Sequence, residues 1–134
     1  MNFQKFTQKS IQAVNNLEKV ALEYGNQEME QEHLLYSLLT QEESLIARLI
    51  TKMEIQGEMF INEVKQAIEK LPKVSGGGQL YISNDLNKVL VNAEDEAKAM
   101  GDEYVSVEHL FLALLKQPGR QVKQLFKLYN VNRE

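Results

Sequence analysis

Gly101-Asp102-Glu103-Tyr104-Val105-Ser106-Val107-Glu108-His109-Leu110-Phe111-Leu112-Ala113-Leu114-Leu115 is the stretch on which the reading of this chain turns. Moved 76 residues upstream, it meets a second copy of itself: Gly101 falls on Gly25, Glu108 on Glu32, His109 on His33 and Leu110 on Leu34. Leu114 and Leu115 fall on Leu38 and Leu39, and Gln117 beyond them on Gln41. The register holds without a gap in both directions, from Asn92 on Asn16 to Val131 on Ile55. Similarity at one fixed offset marks a duplicated supersecondary unit.

Each copy reads as helix, tight corner, helix, helix. Val14, Leu17, Ala21 and Tyr24 recur at steps of three and four, as do Leu90, Ala93, Ala97 and Met100, which predicts an amphipathic stripe. Thr7 and Ser83 stand just ahead as N-caps, and Gly25 and Gly101 stand where a left-handed residue ends a helix at least cost. The next helix begins at Glu30 in one copy and Ser106 in the other. Met29 with Leu34, and Val105 with Leu110, have the spacing of a hydrophobic staple. A third helix carries Leu45, Ile46, Leu49, Ile50 and Met53, matched by Val122, Leu125, Phe126 and Tyr129.

Between the copies a further helix is predicted over about 58–71, with Ile61, Val64, Ile68 and Leu71 on one face and Pro72 as its stop. Lys73-Val74-Ser75-Gly76-Gly77-Gly78-Gln79 reads as a flexible connector. The expected fold is therefore all-α: two tandem repeats related by a pseudo-two-fold axis, one over about 6–71, a connector over 72–81, and a second over about 82–134. The second copy has no counterpart of the helix at 58–71, so the sequence reads as a truncated piece of a longer chain. Leu34, Leu35, Leu38 and Leu39 fill one broad face of a central helix; Tyr36 and its equivalent Leu112 lie on the far flank, where a partner groove is expected.

The formal charge of −4 and the scattered Lys and Arg residues argue against a nucleic-acid backbone as ligand. With no cysteine there is no disulfide, thiolate nucleophile or Cys-ligated zinc. No apolar run approaches the length of a membrane span or signal peptide, so a cytoplasmic protein with no membrane partner is expected. His33 and His109 each follow a glutamate, but neither pair has a second ligand one turn away, as HExxH zinc sites require. A structural role near a helix N-terminus is expected instead, with Glu32 and Glu108 complementing the helix dipole. Gly76-Gly77-Gly78 is followed by no Gly-Lys-Ser/Thr and is not a phosphate loop. Nothing suggests a catalytic triad or a resident cofactor. The chain reads as a monomeric binding module and not as an enzyme.

The duplicated Glu-His-Leu motif within Gly101–Leu115 resembles the Clp N-terminal repeat domain, the module ahead of the ATPase parts of Clp-family AAA+ unfoldases. Leu71-Pro72-Lys73-Val74-Ser75-Gly76, followed by Gln79-Leu80-Tyr81-Ile82-Ser83, is similar to the ClpB-type disaggregase branch more than to the ClpA and ClpC branches. The resemblance covers essentially the whole chain. It implies a parent that is a hexameric, ATP- and magnesium-dependent chaperone working with the DnaK system, and a domain, without nucleotide of its own, that engages unfolded or aggregated polypeptides. It also implies Thr7, Asp102 and Glu108 as a polar rim; the flank of the central helix left free by the core stripe puts Leu112 in the floor of the shallow groove expected there. Glu32, Ser83 and Tyr36 would form a symmetric second site. The alternative it leaves open is an adaptor- or degron-docking domain of the ClpA/ClpC type. That includes phosphoarginine recognition, for which the sequence pairs Thr7 with Glu32 and Ser83 with Glu108.

Overall fold

The structure, a computed structural model, describes residues 3–74 and 78–132. In chain order its elements are α1 (Gln8–Glu23), β1 (Glu28–Met29), α2 (Gln31–Leu39), α3 (Leu45–Lys52), α4 (Gly57–Glu69), β2 (Tyr81–Ile82), α5 (Asn84–Ala99), α6 (Val107–Lys116) and α7 (Arg120–Leu128). The architecture is all-α, and α1, α2 and α3 correspond to α5, α6 and α7.

The two long helices begin and end alike because their terminal residues solve the same problem. Thr7 Oγ1 accepts the Ser10 N–H at 3.2 Å, and Ser83 Oγ accepts the Leu86 N–H at 3.0 Å, each satisfying a donor that the helix leaves open. At the other end Gly25 and Gly101 turn left-handed, with φ of 72° and 73°. The next amide in each case, that of Asn26 or Asp102, donates back to Ala21 or Ala97 at 2.8 Å, closing a Schellman turn.

What joins the repeats is a reciprocal exchange of short strands. β2 of the second copy pairs in parallel with β1 of the first, Ile82 opposite Met29. Phe6, the counterpart of Ile82, forms an isolated parallel bridge with Val105, the counterpart of Met29. The amides of Thr7 and Ser83 donate to the carbonyls of Val105 and Met29 at 2.9 and 3.0 Å. Each repeat thus lends its entry segment to the corner of the other. The sequence predicted none of this pairing.

α2 and α6 meet in the middle of the molecule, with α1 resting on α6 and α5 on α2. Leu34, Leu35, Leu38, Leu110 and Leu114 are wholly buried. Two predicted faces are rotated from expectation. α1 buries Ala13, Leu17, Val20 and Ala21, leaving Val14 and Tyr24 half-buried at the edge. α4 buries Phe60, Val64, Ala67 and Ile68 rather than Ile61 and Leu71, and Phe60 sets its ring edge-on to Tyr129 at 5.2 Å. Apolar residues stand on both sides of these stripes in the sequence, and the larger or better-fitting set takes the interior.

The described ends of the connector are tied down, contrary to the expectation of a free linker. Asn26 Nδ2 donates to the Pro72 carbonyl at 2.9 Å, and the Val74 amide donates to the Gly25 carbonyl at 2.9 Å. Ser75, Gly76 and Gly77 lie outside the described residues. No helix among the described residues is long and apolar enough to cross a membrane.

Candidate functional site

The Glu-His-Leu motif places its histidine three residues after the N-cap. There the imidazole replaces the Glu or Gln of an ordinary capping box. The Glu30 amide donates to His33 Nδ1 at 2.8 Å, and the Ser106 amide to His109 Nδ1 at 2.9 Å. With Nδ1 an acceptor, the ring proton sits on Nε2, which donates to Asn26 Oδ1 in one copy and Asp102 Oδ2 in the other, both at 2.8 Å. Each ring therefore ties the corner after the glycine to the start of the following helix. Both nitrogens of each ring are engaged, Nδ1 in the cap and Nε2 at the corner. Burial holds the His33 imidazolium in check, its pKa lowered to about 4.

The strand exchange sets Thr7 against Val105, just ahead of α6, the helix that carries Glu108. Thr7 is held there by the hydrogen bond from its amide to the Val105 carbonyl, and the Ser10 hydroxyl donates to the same carbonyl at 2.8 Å. Asp102 is fixed from the other side through His109. Glu108, in the first turn of α6, is exposed, and Leu112, one turn on, is half-buried. The pairing of Thr7 with Glu32 and Ser83 with Glu108 is corrected here. The exchanged strands put Thr7 beside the helix that carries Glu108, and Ser83 beside the helix that carries Glu32.

In the symmetric set Glu32 and Ser83 are buried, while Tyr36 is half-buried like its equivalent Leu112. Glu32 is only 7% exposed and accepts from Gln121 Nε2 at 2.6 Å, the same amide reaching the Ala67 carbonyl at 3.2 Å. Its carboxyl pKa is raised by burial, with Asp85 adding to the shift and Gln121 opposing it. Ser83 is buried. Tyr36 lies edge-on to Tyr24, ring centroids 6.4 Å apart. Glu30, where the second copy has Ser106, has its carboxyl pKa pushed up to about 7. Burial is the main cause; the Glu28 carboxyl adds to the shift and a hydrogen bond with Ser83 opposes it.

The cavities fall partly outside the predicted groove. One of about 630 Å³ opens between the end of α6 and α7, lined by Leu115, Gln117, Phe126 and Val131, and touches none of the predicted residues. Another of about 240 Å³ includes Asp102 but not Thr7, Glu108 or Leu112. Gln31 was also missed. It is buried, and its Nε2 donates to the Asp85 and Gln117 carbonyls, both at 3.1 Å, while its Oε1 accepts from Gly119 at 2.7 Å. Its counterpart Val107 gives the second copy no such strut. A glutamine at the first helical position, where the repeat has a valine, was the signal available in the sequence.

Two helical repeats with exchanged entry strands and histidine-capped central helices define the class: a Clp-type repeat module. The chain belongs to the Clp repeat (R) N-terminal domain family, whose model matches residues 5–129. It is 39% identical to the chaperone protein ClpB of Nitratidesulfovibrio vulgaris over 139 aligned residues, covering 100% of this chain and 16% of that protein. In fold it is similar to the Hsp104 N-terminal domain of Candida albicans, with a TM-score of 0.83 and 22% identity, over 95% of this chain and 83% of that one. It is also similar to a ClpV N-domain solved in complex with a VipB peptide, with a TM-score of 0.73 and 19% identity, over 96% and 79% of the two chains.

Proposed function

We propose that this chain is the substrate-recognition domain of an ATP-driven, ClpB-type disaggregase, and that it binds exposed apolar segments of unfolded or aggregated proteins. The supporting observation is the contrast between the two copies: Glu108 is open to solvent beside a half-buried Leu112, while Glu32 is sealed beneath Gln121. The open side has Leu112 as floor and Thr7, Asp102 and Glu108 as rim. A few apolar contacts at roughly 1.5–3 kcal/mol per buried side chain, less the cost of ordering an extended peptide, give affinities of about micromolar or weaker. That suits a recruiter of many sequences. ATP and magnesium, the hexamer and cooperation with the DnaK system belong to the parent chaperone in the cytoplasm.

Thr7→Ala, Asp102→Ala and Glu108→Ala, made singly, test the site through melting temperature and binding of a labelled, permanently unfolded polypeptide. Weaker binding at unchanged stability in Glu108→Ala supports the assignment. Binding that falls only in step with stability makes the three residues structural. The fold shared with a ClpV N-domain that was solved with a VipB peptide supports a second reading, docking of one defined adaptor or degron segment. Saturable binding of a phosphoarginine peptide in preference to unfolded polypeptide would select it.

A further inference from the structure

Asp102 stands on the rim by position, but its bonds face inward. Its amide donates to the Ala97 carbonyl at 2.8 Å, which fixes its backbone to the end of α5. Its Oδ2 accepts from His109 Nε2 at 2.8 Å, and the histidine it holds is buried, with a side chain 4% exposed against 48% for Asp102. Across the ring, Nδ1 accepts the Ser106 amide at 2.9 Å and lies 3.1 Å from the Ser106 hydroxyl, which in turn accepts the His109 amide. A continuous run of hydrogen bonds thus leads from the end of α5 to the first turn of α6, the turn that carries Glu108.

The first corner shows that this run of bonds does not need a charge. There Asn26 Oδ1 replaces Asp102 Oδ2 at the same 2.8 Å from His33 Nε2, and the Glu30 amide still reaches Nδ1 at 2.8 Å. What Asn26 and Asp102 share is an acceptor for the Nε2 proton; the charge belongs to Asp102 alone. An acceptor at Nε2 keeps the proton there and leaves Nδ1 bare to receive the amide at the helix start. A ring released at Nε2 is free to turn or change tautomer, and the Ser106 amide then loses its acceptor.

We infer that Asp102 is a positioning residue: through His109 it sets the start of α6 and so the place of the Glu108 carboxylate, and it makes no contact of its own with bound polypeptide. This rests on the proposed function for the part that Glu108 plays, and it narrows the polar contacts to Thr7 and Glu108 with Asp102 behind them. A direct contact would depend on the negative charge of Asp102. A merely structural role would act through global stability. Positioning needs only an acceptor and acts on one helix start.

The test uses the whole chain as Asp102→Asn, Asp102→Ala, Glu108→Ala and the Asp102→Ala/Glu108→Ala pair, each well below its melting temperature. Hydrogen exchange of the Ser106 amide, taken relative to that of buried Leu114 in the same helix, is read without ligand. It should be about fivefold faster in Asp102→Ala, the factor of one ordinary hydrogen bond, and return to the parent rate in Asp102→Asn. Binding of a labelled, permanently unfolded polypeptide should weaken by a similar factor in Asp102→Ala and be restored in Asp102→Asn. Adding Asp102→Ala to Glu108→Ala should bring no further loss, because the two act as one unit. An unchanged Ser106 amide in Asp102→Ala would overturn the inference, as would binding lost in Asp102→Asn or losses that add across the pair. Parent-like binding by Glu108→Ala would fell the proposed function instead, and the Ser106 exchange rates would still decide whether Asp102 positions α6.

Discussion

The joint around Phe6 and Val105 is lined by the hydroxyls of Thr7, Ser10 and Ser106, while the one around Ile82 and Met29 is lined by Ser83, Glu28, Glu30 and Glu32. The equivalent backbone bonds, from Thr7 and Ser83, close both joints, so what separates them is side-chain chemistry laid over one frame. At the acid-rich joint Ile82 is exposed but the glutamate of the helix start, Glu32, is covered, with Gln31 and Gln121 bracing it. At the hydroxyl-lined joint Phe6 and Val105 are buried and the equivalent glutamate, Glu108, is exposed. One backbone frame thus carries two different sets of side chains.

The severest test of this symmetry is the core. Leu38 and Leu114 are equivalent and wholly buried, and truncating either to Ala should cost about 2–5 kcal/mol in denaturant melts. A loss below about 1 kcal/mol at one of them would break the equivalence. Gln31 sharpens the difference between the halves. Gln31→Ala strands three backbone partners and should cost about 2 kcal/mol, whereas Val107→Ala removes only apolar contact and should cost about 1 kcal/mol. Equal losses would mean that water replaces the strut.

The acidic joint also predicts a pH dependence. Glu30, with its pKa raised from 4.5 to about 7, adds stability that is full below pH 4.5 and is lost as pH rises through 7. His33, lowered from 6.5 to about 4, acts the other way: its stability is present above pH 6.5 and lost as pH falls through 4. Between pH 4.5 and 6.5 the two trends oppose each other. Glu30→Gln should therefore raise stability at pH 8 by about 1 kcal/mol, a figure kept small because the carboxyl is partly solvated. It should also steepen the loss on acidification, as followed by urea melts from pH 4 to 8; parallel curves would refute this. The smallest expected effect concerns the caps. Thr7→Ala and Ser83→Ala should each cost about 1 kcal/mol, and the buried Ser83 should cost the more.

Much of the frame was legible because it rests on local chemistry. Caps at Thr7 and Ser83, left-handed Gly25 and Gly101, and the leucine-filled central helices each leave a signature within a few residues. The strand exchange was not legible: two-residue strands are too short for alternation to show, and their partners lie far along the chain. The faces of α1 and α4 were misplaced by one position because apolar residues flank the true stripe. At the site, the rim residues were named from a family resemblance, but which hydroxyl meets which glutamate depends on the exchange. The role of His109 as an N3 acceptor escaped a capping-box pattern that looks for Glu or Gln.

The reciprocal exchange has the contact pattern of an isologous dimer, each partner giving its first segment to the other's corner, written into a single chain. In a dimer of identical subunits every substitution lands twice, so a buried Gln at position 31 would bring a buried Gln at position 107. Fusion lifts that constraint. Once the copies share a chain, one can accumulate glutamines and carboxylates that seal it while the other keeps its valine and its hydroxyls, with no loss of the bonds that hold them together. Covalent linkage lets two halves with the same backbone bonds differ in which glutamate they bury.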